Sequence, residues 1–172
     1  MNQHVSPLVA RYLTASDRGD KAAEEEAIEE GLAEGAAWAL AIGAMRKAEV
    51  TDGSDVEANS LVRQAASVVA DDDWFSHMQL FFCHEMDLGC ATLTASLRAA
   101  QRHLLKAARC SPHAEPALMA GRRYEDGNLV VEPNLTQALR WYSIAAQRGS
   151  AEGEAHTRRL RVLLKQQTES KR

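Results

Sequence analysis

The most reactive side chains in the sequence belong to seven histidine and cysteine residues. Thiolate sulfur and imidazole nitrogen are ligands that zinc prefers, so the residue types suit a metal site. The seven residues are His77, Cys83, His84, Cys90, His103, Cys110 and His113. Their spacing does not suit a metal site, since neither Cys-x2-Cys nor His-x3-His occurs. Cys83 and Cys90 would also lie roughly 10 Å apart along a helix. Cys110 and His113 are the best-placed pair, but we expect free thiols, solvated histidines and no bound metal or cofactor.

Motifs for catalysis are missing from the sequence. It contains no Gly-rich phosphate loop, no Gly-x-Ser-x-Gly elbow and no His-Glu-x-x-His pair. The three cysteines are an odd number, which indicates reduced thiols rather than a disulfide framework. We therefore expect a protein that is not an enzyme.

Four aromatic residues cluster between positions 74 and 82. They are Trp74, Phe75, Phe81 and Phe82, and they include all three phenylalanines of the chain. One interpretation is that they fill the core between helices. The other is an aromatic anchor for a partner segment, because Phe81 and Phe82 would point about 100° apart on a helix and one of them would face outwards.

Charge is divided unevenly along the chain, although the net charge is only −4. Residues 1–90 hold six Lys/Arg against seventeen Asp/Glu, and residues 91–172 hold fourteen against seven. The basic half supplies Arg122, Arg123, Arg158 and Arg159 as further candidate partner-binding residues. Nucleic acid is not the expected partner, because the acidic half would repel phosphate. Attraction between opposite halves of two copies would give a salt-dependent self-association.

The composition favours close-packed helices in a soluble protein. Apolar residues make up 45%, charged residues 26% and aromatic residues only 5%, while alanine recurs throughout. The first seven residues do not resemble an export signal, and no window approaches the roughly 18 apolar residues that cross a bilayer. We expect a cytoplasmic location and no membrane partner.

Hydrophobic periodicity predicts nine helices and no strands. Their predicted ranges are 5–15, 20–31, 35–47, 55–70, 73–88, 93–109, 114–126, 134–148 and 151–167. Asn134, with Gln137 three residues later, is typical of a helix N-cap. Gly127 is predicted to end the preceding helix in a left-handed conformation.

One helical face recurs along the chain. Ala138, Trp141, Tyr142, Ala145 and Ala146 lie at the offsets that share one side of a helix. A similar face begins at Ala100 and another at Ala58, which are 38 and 80 residues upstream of Ala138. A period near 40 with two helices per unit predicts an α-solenoid, in which each unit packs on its neighbours.

The segment 114–155 resembles a Sel-one-like repeat, a relative of the tetratricopeptide repeat. The residues at the matching positions include Gly121, Tyr124, Gly127, Ala138, Trp141, Tyr142, Ala145, Ala146 and Gly149. Ala120 replaces the usual leucine, and Asn128-Leu129 stands where Gly-Val is common.

The resemblance and the period together predict one helical-repeat domain over 1–172. Capping helices would occupy 1–35, degenerate repeats 36–70 and 73–111, and the clear repeat 114–149. A C-terminal capping helix would follow at 151–167, with a tail at 168–172.

For function, the resemblance implies a bacterial adaptor or scaffold that binds a protein or peptide in a concave groove. This is an argument from fold, which names no partner. The alternative is a cytosolic immunity or antitoxin-type protein that blocks a toxin or effector. A more remote alternative is an enzyme or metal site that uses the Cys/His cluster.

Overall fold

The computed structural model of the chain describes residues 5–51 and 56–169. These residues form nine helices, which we number in chain order. The helices are α1 (Pro7–Arg18), α2 (Lys21–Ala33), α3 (Ala37–Thr51), α4 (Val56–Val68), α5 (Trp74–Glu85), α6 (Leu93–Cys110), α7 (Glu115–Asp126), α8 (Leu135–Gln147) and α9 (Ala151–Glu169). Each begins and ends within four residues of its predicted range, so the all-α prediction is confirmed. None of these nine helices is both long enough and apolar enough to cross a bilayer.

Short polar side chains begin six of these helices, with Thr92 before α6 and Ser150 before α9 among them. The backbone N–H three residues further on donates a hydrogen bond to each of them, namely Ser6, Asp20, Asp73, Thr92, Asn134 and Ser150. Such a bond satisfies one of the N–H groups that the first turn leaves without a partner. At Asn134 the donor is the N–H of Gln137 at 3.0 Å, which confirms the predicted cap.

The contacts divide the chain into two compact units, unit 1 (Met1–His103) and unit 2 (Leu104–Arg172). The boundary lies within α6, so the segment 73–111, which the sequence analysis treats as one repeat, contributes to both units.

Unit 1 is built around α3. Eight residues of this helix are buried, five of them alanine, and they face in several directions. A helix that is apolar on most sides is enclosed by its neighbours, and α3 packs against α2, α4 and α5. One core cluster joins α3 to α1, α2 and α5, and a second joins it to α4 and α5. The small alanine side chains allow these helices to approach closely.

Unit 2 is built around α8, which packs on α7 and on α9. Ala138, Trp141, Tyr142 and Ala145 of the repeat face are buried, and Ala146 is half-buried. The same face is buried at the C-terminal end of α6, where Leu104, Ala107 and Ala108 lie.

The corresponding face of α4, in unit 1, buries fewer residues. Ala58, Val62 and Ala65 are buried, whereas Ala66 is exposed.

The connection from α7 to α8 differs from the predicted left-handed cap. Gly127 has a positive φ of 73°, as expected, but its ψ of 177° lies outside the left-handed helical region. The chain therefore leaves α7 extended and forms an isolated bridge between Asn128 and Val131. It then returns so that the N–H of Asn134 donates to the Tyr124 carbonyl at 2.6 Å.

A single arginine covers the C-terminal end of α6. Arg148, which follows α8, donates hydrogen bonds to the carbonyls of Ala108 at 2.8 Å, Arg109 at 3.2 Å and His113 at 3.3 Å. The last carbonyls of a helix lack intrahelical donors and carry partial negative charge, so a guanidinium is favoured there. Arg148 thus fixes α8 against the end of α6 within unit 2.

Candidate functional site

The predicted aromatic residues divide into buried and accessible members along α5. Phe75 and Phe81 are 6% and 2% exposed, whereas Phe82 is 39% exposed and Trp74 is half-buried. Phe75 and Phe81 therefore pack mainly in the core. Phe82 is the member that faces outwards, as expected for one of two adjacent residues on a helix.

Phe75 lies at the centre of a group of aromatic rings in unit 1. Its ring centroid is 5.9 Å from that of Tyr12, 6.1 Å from that of Trp38 and 5.6 Å from that of Trp74. The rings are tilted or edge-on to one another, which is the arrangement that aromatic pairs prefer. This group joins the start of α5 to α1 and α3.

A cavity of about 250 Å³ lies beside these rings. Residues from the start of α1, from α3 and from the start of α5 line it. They are Val5, Ser6, Val9, Trp38, Asp72, Asp73, Trp74 and Phe75. Aromatic and aliphatic walls therefore meet two carboxylates, a combination that the sequence analysis missed because α1, α3 and α5 are far apart in the chain.

Two of the four predicted partner-binding arginines are engaged within unit 2. Arg122 of α7 pairs with Glu152 of α9 at 2.8 Å, and Arg159 of α9 pairs with Glu125 of α7. Both pairs connect α7 to α9. Their guanidinium groups thus pair across the two helices, although their side chains stay 47% and 46% exposed.

Glu125 also accepts a hydrogen bond from the Tyr142 hydroxyl at 3.0 Å. Burial alone would raise the pKa of Glu125, but the hydrogen bonds from Arg159 and Tyr142 outweigh it and lower that pKa. The pKa of Tyr142 is raised, first by burial and then by the bond to Glu125. Glu125 is therefore a charged acceptor and Tyr142 a neutral donor near neutral pH.

The other two arginines are placed differently. Arg158 is exposed and, with Arg161, borders a shallow depression between α8 and α9. Arg123 is half-buried on α7. Arg158 is thus exposed beside this depression and remains a candidate for contact with a partner. The aromatic and the basic candidates lie in different units.

Three of the predicted histidines come together in unit 1. The Nδ1 atoms of His77 and His103 are 2.9 Å apart, and the His84 ring stacks on that of His103 at a centroid distance of 5.5 Å. Nδ1 of His84 lies 2.9 Å from the Leu88 carbonyl and 3.8 Å from Sγ of Cys90. Burial lowers the pKa of His84, which favours the neutral ring. The helical spacing of His77 and His84 gave no sign of this contact with His103.

Cys83 is buried and its thiol donates to the Ala41 carbonyl at 3.3 Å. Burial raises its pKa to about 12, so the thiol stays protonated. Cys90 and Cys110 are half-buried free thiols. Across residues 5–51 and 56–169, no group of three His, Cys, Asp or Glu side chains is arranged to hold a metal ion.

Comparison with known proteins gives matches in structure alone. No family model matches the chain, and no curated protein matches it. Among solved structures it is similar to a Sel1 repeat protein from Oxalobacter formigenes, with a TM-score of 0.55 and 19% identity over 85% of this chain. The chain spans 58% of that protein's length.

A second match is c5321, a protective antigen of uropathogenic Escherichia coli strains with an SLR fold. Its TM-score is 0.33 at 15% identity, over 87% of this chain and 40% of the antigen, an overlap too limited to argue from. The likeness to the Oxalobacter protein agrees with the repeat residues at 114–149. The chain is therefore an all-α helical repeat protein with the fold of the Sel-one-like repeats.

Proposed function

We propose that the chain is a non-catalytic adaptor or scaffold that binds a partner protein or peptide. The observation that carries this proposal is an apolar surface on α5 that the fold leaves partly exposed. Phe82 and Met86 are four residues apart, so they lie on the same side of the helix end, and they are 39% and 42% exposed. We call this pair the α5 strip.

The chemistry of the α5 strip suits a protein interface. Aromatic and methionine side chains are enriched in interface cores, and methionine adapts its shape to the partner. Trp74, half-buried at the start of the same helix, is a separate candidate for contact with a partner. The repeat fold supports the proposal because repeat units present continuous helical surfaces that proteins commonly use for binding.

Charge supports a protein partner as well. The first 90 residues carry an excess of eleven acidic residues, which would steer a basic partner toward them. Arg158 supplies an accessible positive charge in unit 2. We place the role in the bacterial cytoplasm, in keeping with three free cysteines that a reducing compartment would preserve.

The test is capture of a partner, followed by measurement with purified components. The chain is used as bait in a lysate of its own organism, and retained proteins are identified by mass spectrometry. We expect Phe82→Ala to weaken binding of the purified partner by at least about fivefold, as for an interface anchor. Leu129→Ala is the control, because Leu129 is a 79% exposed apolar residue of unit 2 outside the α5 strip.

Circular dichroism of both variants must match the parent chain, so that a loss of binding is not a loss of fold. Equal effects of the two substitutions, or none, would remove the α5 strip from the proposal. A toxin or effector as the captured protein would favour the immunity alternative. Salt-dependent dimers in light scattering, without a foreign partner, would replace the adaptor proposal with self-association.

A further inference from the structure

We infer that the cavity beside Trp38, Trp74 and Phe75 binds an arginine side chain of the partner. This inference rests on the proposed function and adds the chemistry of the group that is recognised. The cavity lies within unit 1, and none of its lining residues belongs to the α5 strip. Three independent features of the cavity support it, namely its walls, its rim and its size.

The aromatic wall of the cavity suits a flat cation. Half-buried Trp74 is its most accessible ring, since Trp38 and Phe75 are 3% and 6% exposed. Trp38, Trp74 and Phe75 all line it, with centroid distances of 6.1 Å from Trp38 to Phe75 and 5.6 Å from Trp74 to Phe75. The negative faces of aromatic rings attract cations, and tryptophan does so most strongly. A guanidinium group also stacks on such rings better than the strongly hydrated lysine ammonium does.

The rim of the cavity is negative. Asp73 caps α5, where its carboxylate accepts hydrogen bonds from the N–H and the hydroxyl of Ser76. Asp72 is exposed, and no ion pair joins it to another described residue. Because Asp73 already serves as the cap, folding of α5 does not require the Asp72 carboxylate. It is therefore available to a guanidinium, which pairs well with carboxylates.

The helix ends at the cavity do not reverse this charge. α1 and α5 both begin there, since their capping residues Ser6 and Asp73 line the cavity. A helix N-terminus carries roughly half a positive charge. Two such ends offset about one of the two carboxylate charges, so the rim keeps a net negative charge that favours a cation.

The size of the cavity selects a side chain over a free metabolite. Its volume of about 250 Å³ is smaller than the roughly 300–1,000 Å³ typical of small-molecule sites. The cavity opens beside exposed Asp72, so a side chain on a partner polypeptide could enter from solvent. The surplus of acidic residues in the first 90 positions would draw a basic polypeptide toward it.

The probe for this inference is N-acetyl-arginine amide, with N-acetyl-citrulline amide as its neutral isostere. Binding is followed by NMR of the ¹⁵N-labelled chain, through the indole N–H signals of its three tryptophans. We expect the signals of Trp38 and Trp74 to shift with arginine, while the signal of Trp141 in unit 2 stays in place. The citrulline probe should bind at least about tenfold more weakly, because it lacks the positive charge.

A pair of adjacent substitutions sharpens the test. Asp72→Asn should weaken arginine binding by about three- to fivefold, the range of a partly exposed ion pair. Asp71→Asn removes a neighbouring charge outside the cavity lining and should leave binding nearly unchanged. Equal binding of the arginine and citrulline probes, or equal effects of the two substitutions, would overturn the inference. So would shifts of Trp141 as large as those of Trp38 and Trp74.

The outcomes separate this inference from the proposed function. A purified partner that depends on Phe82 but binds Asp72→Asn as tightly as the parent would contradict the arginine site and leave the adaptor proposal standing. Binding of the arginine probe as expected, with no partner that depends on the α5 strip, would support the cavity and contradict the proposed surface.

Discussion

The ring of Tyr142 on α8 lies directly against Gly121 of α7. It fills the space that a side chain at position 121 would need. A Cβ atom at Gly121 would lie 2.7 Å from both Cδ1 and Cε1 of Tyr142. On its other side the tyrosine ring stacks on His156 of α9, with centroids 4.3 Å apart and planes at 13°. The ring passes across Gly121 and its hydroxyl reaches Glu125, one turn further along α7. One tyrosine thus connects α7, α8 and α9 of unit 2.

Gly121→Ala should therefore destabilise unit 2. The added methyl group must displace a fully buried ring, and overpacking of this kind costs about 1–3 kcal/mol. The better helix propensity of alanine offsets up to about 1 kcal/mol of that cost. Gly43→Ala is the matched control, because its Cβ would lie 3.4 Å from the nearest atom, an ordinary contact. Urea denaturation should show a loss for Gly121→Ala and no loss for Gly43→Ala; equal stability of the two variants would contradict the packing described for Tyr142.

Gly127→Val should destabilise by more than Gly149→Ala. Both glycines have a positive φ, 73° at Gly127 and 86° at Gly149. A Cβ atom at Gly127 would also lie 2.8 Å from Cδ and Cγ of Pro133, whereas nothing lies within 4 Å at Gly149. We expect about 2–4 kcal/mol at Gly127, from backbone strain and steric conflict together, and about 1 kcal/mol at Gly149. Thermal unfolding would compare them, and a neutral Gly127→Val would rule out the observed connection from α7 to α8.

Glu125→Ala should cost more stability than Arg159→Ala, although each removes the same ion pair. The Arg159 side chain is 46% exposed, so its loss should cost no more than about 1 kcal/mol. Loss of Glu125 also leaves the buried Tyr142 hydroxyl without its acceptor, which adds about 1–3 kcal/mol. Glu125→Gln keeps an acceptor and should fall between them. Equal costs in denaturant titrations of the alanine variants would show that the tyrosine bond contributes nothing.

The stability of unit 1 should fall as the pH drops below about 6.5. The pKa of His84 is lowered in the folded state, chiefly by burial, so the unfolded chain binds protons more readily. Above the pKa of His84 in the unfolded chain, its neutral ring contributes fully to the stability of unit 1. As the pH falls from that pKa to the lower pKa of the folded state, the free energy of unfolding decreases by up to about 1.4 kcal/mol per pH unit.

His84→Asn keeps a donor near the Leu88 carbonyl but cannot titrate, so it isolates this contribution. The smaller asparagine side chain is expected to lower the overall stability, so the slopes of the pH profiles are compared rather than the absolute stabilities. Denaturation at pH 7.5, 6.5 and 5.5 should show a shallower loss for His84→Asn than for the parent. Parallel pH profiles would assign the acid sensitivity to groups other than His84.

The helices were predictable from sequence because their signals are local. Asp73 and Asn134 are caps whose partners lie three residues away, and the period of small residues marks the buried face. The positive φ of Gly127 was predictable for the same reason. The ψ of Gly127 was not predictable from sequence. The direction of the chain there depends on the bridge between Asn128 and Val131 and on the close approach of Pro133.

The candidate sites were less predictable because they depend on contacts across the fold. From the sequence, Arg158 and Arg159 are equivalent candidates for binding a partner. In the structure, Arg159 pairs with Glu125 on α7, whereas Arg158 is exposed to solvent. The alternation of Phe81 and Phe82 was expected, but which of them faces outwards depends on how α5 packs against α3. The aromatic cavity requires three helices that are distant in the chain, and no spacing rule connects them.

The buried Cys83 thiol gives the chain an intrinsic kinetic reporter. The nucleophile that attacks an electrophilic labelling reagent is the thiolate. Cys83 is fully enclosed with a pKa raised to about 12, so it reacts only while unit 1 is open. Cys90 and Cys110, which are half-buried, should react in an early phase. The slow labelling phase therefore measures how often unit 1 opens under native conditions, without any introduced probe. A ligand bound at the aromatic cavity would lengthen that phase by a factor of one plus the ratio of the free ligand concentration to its Kd.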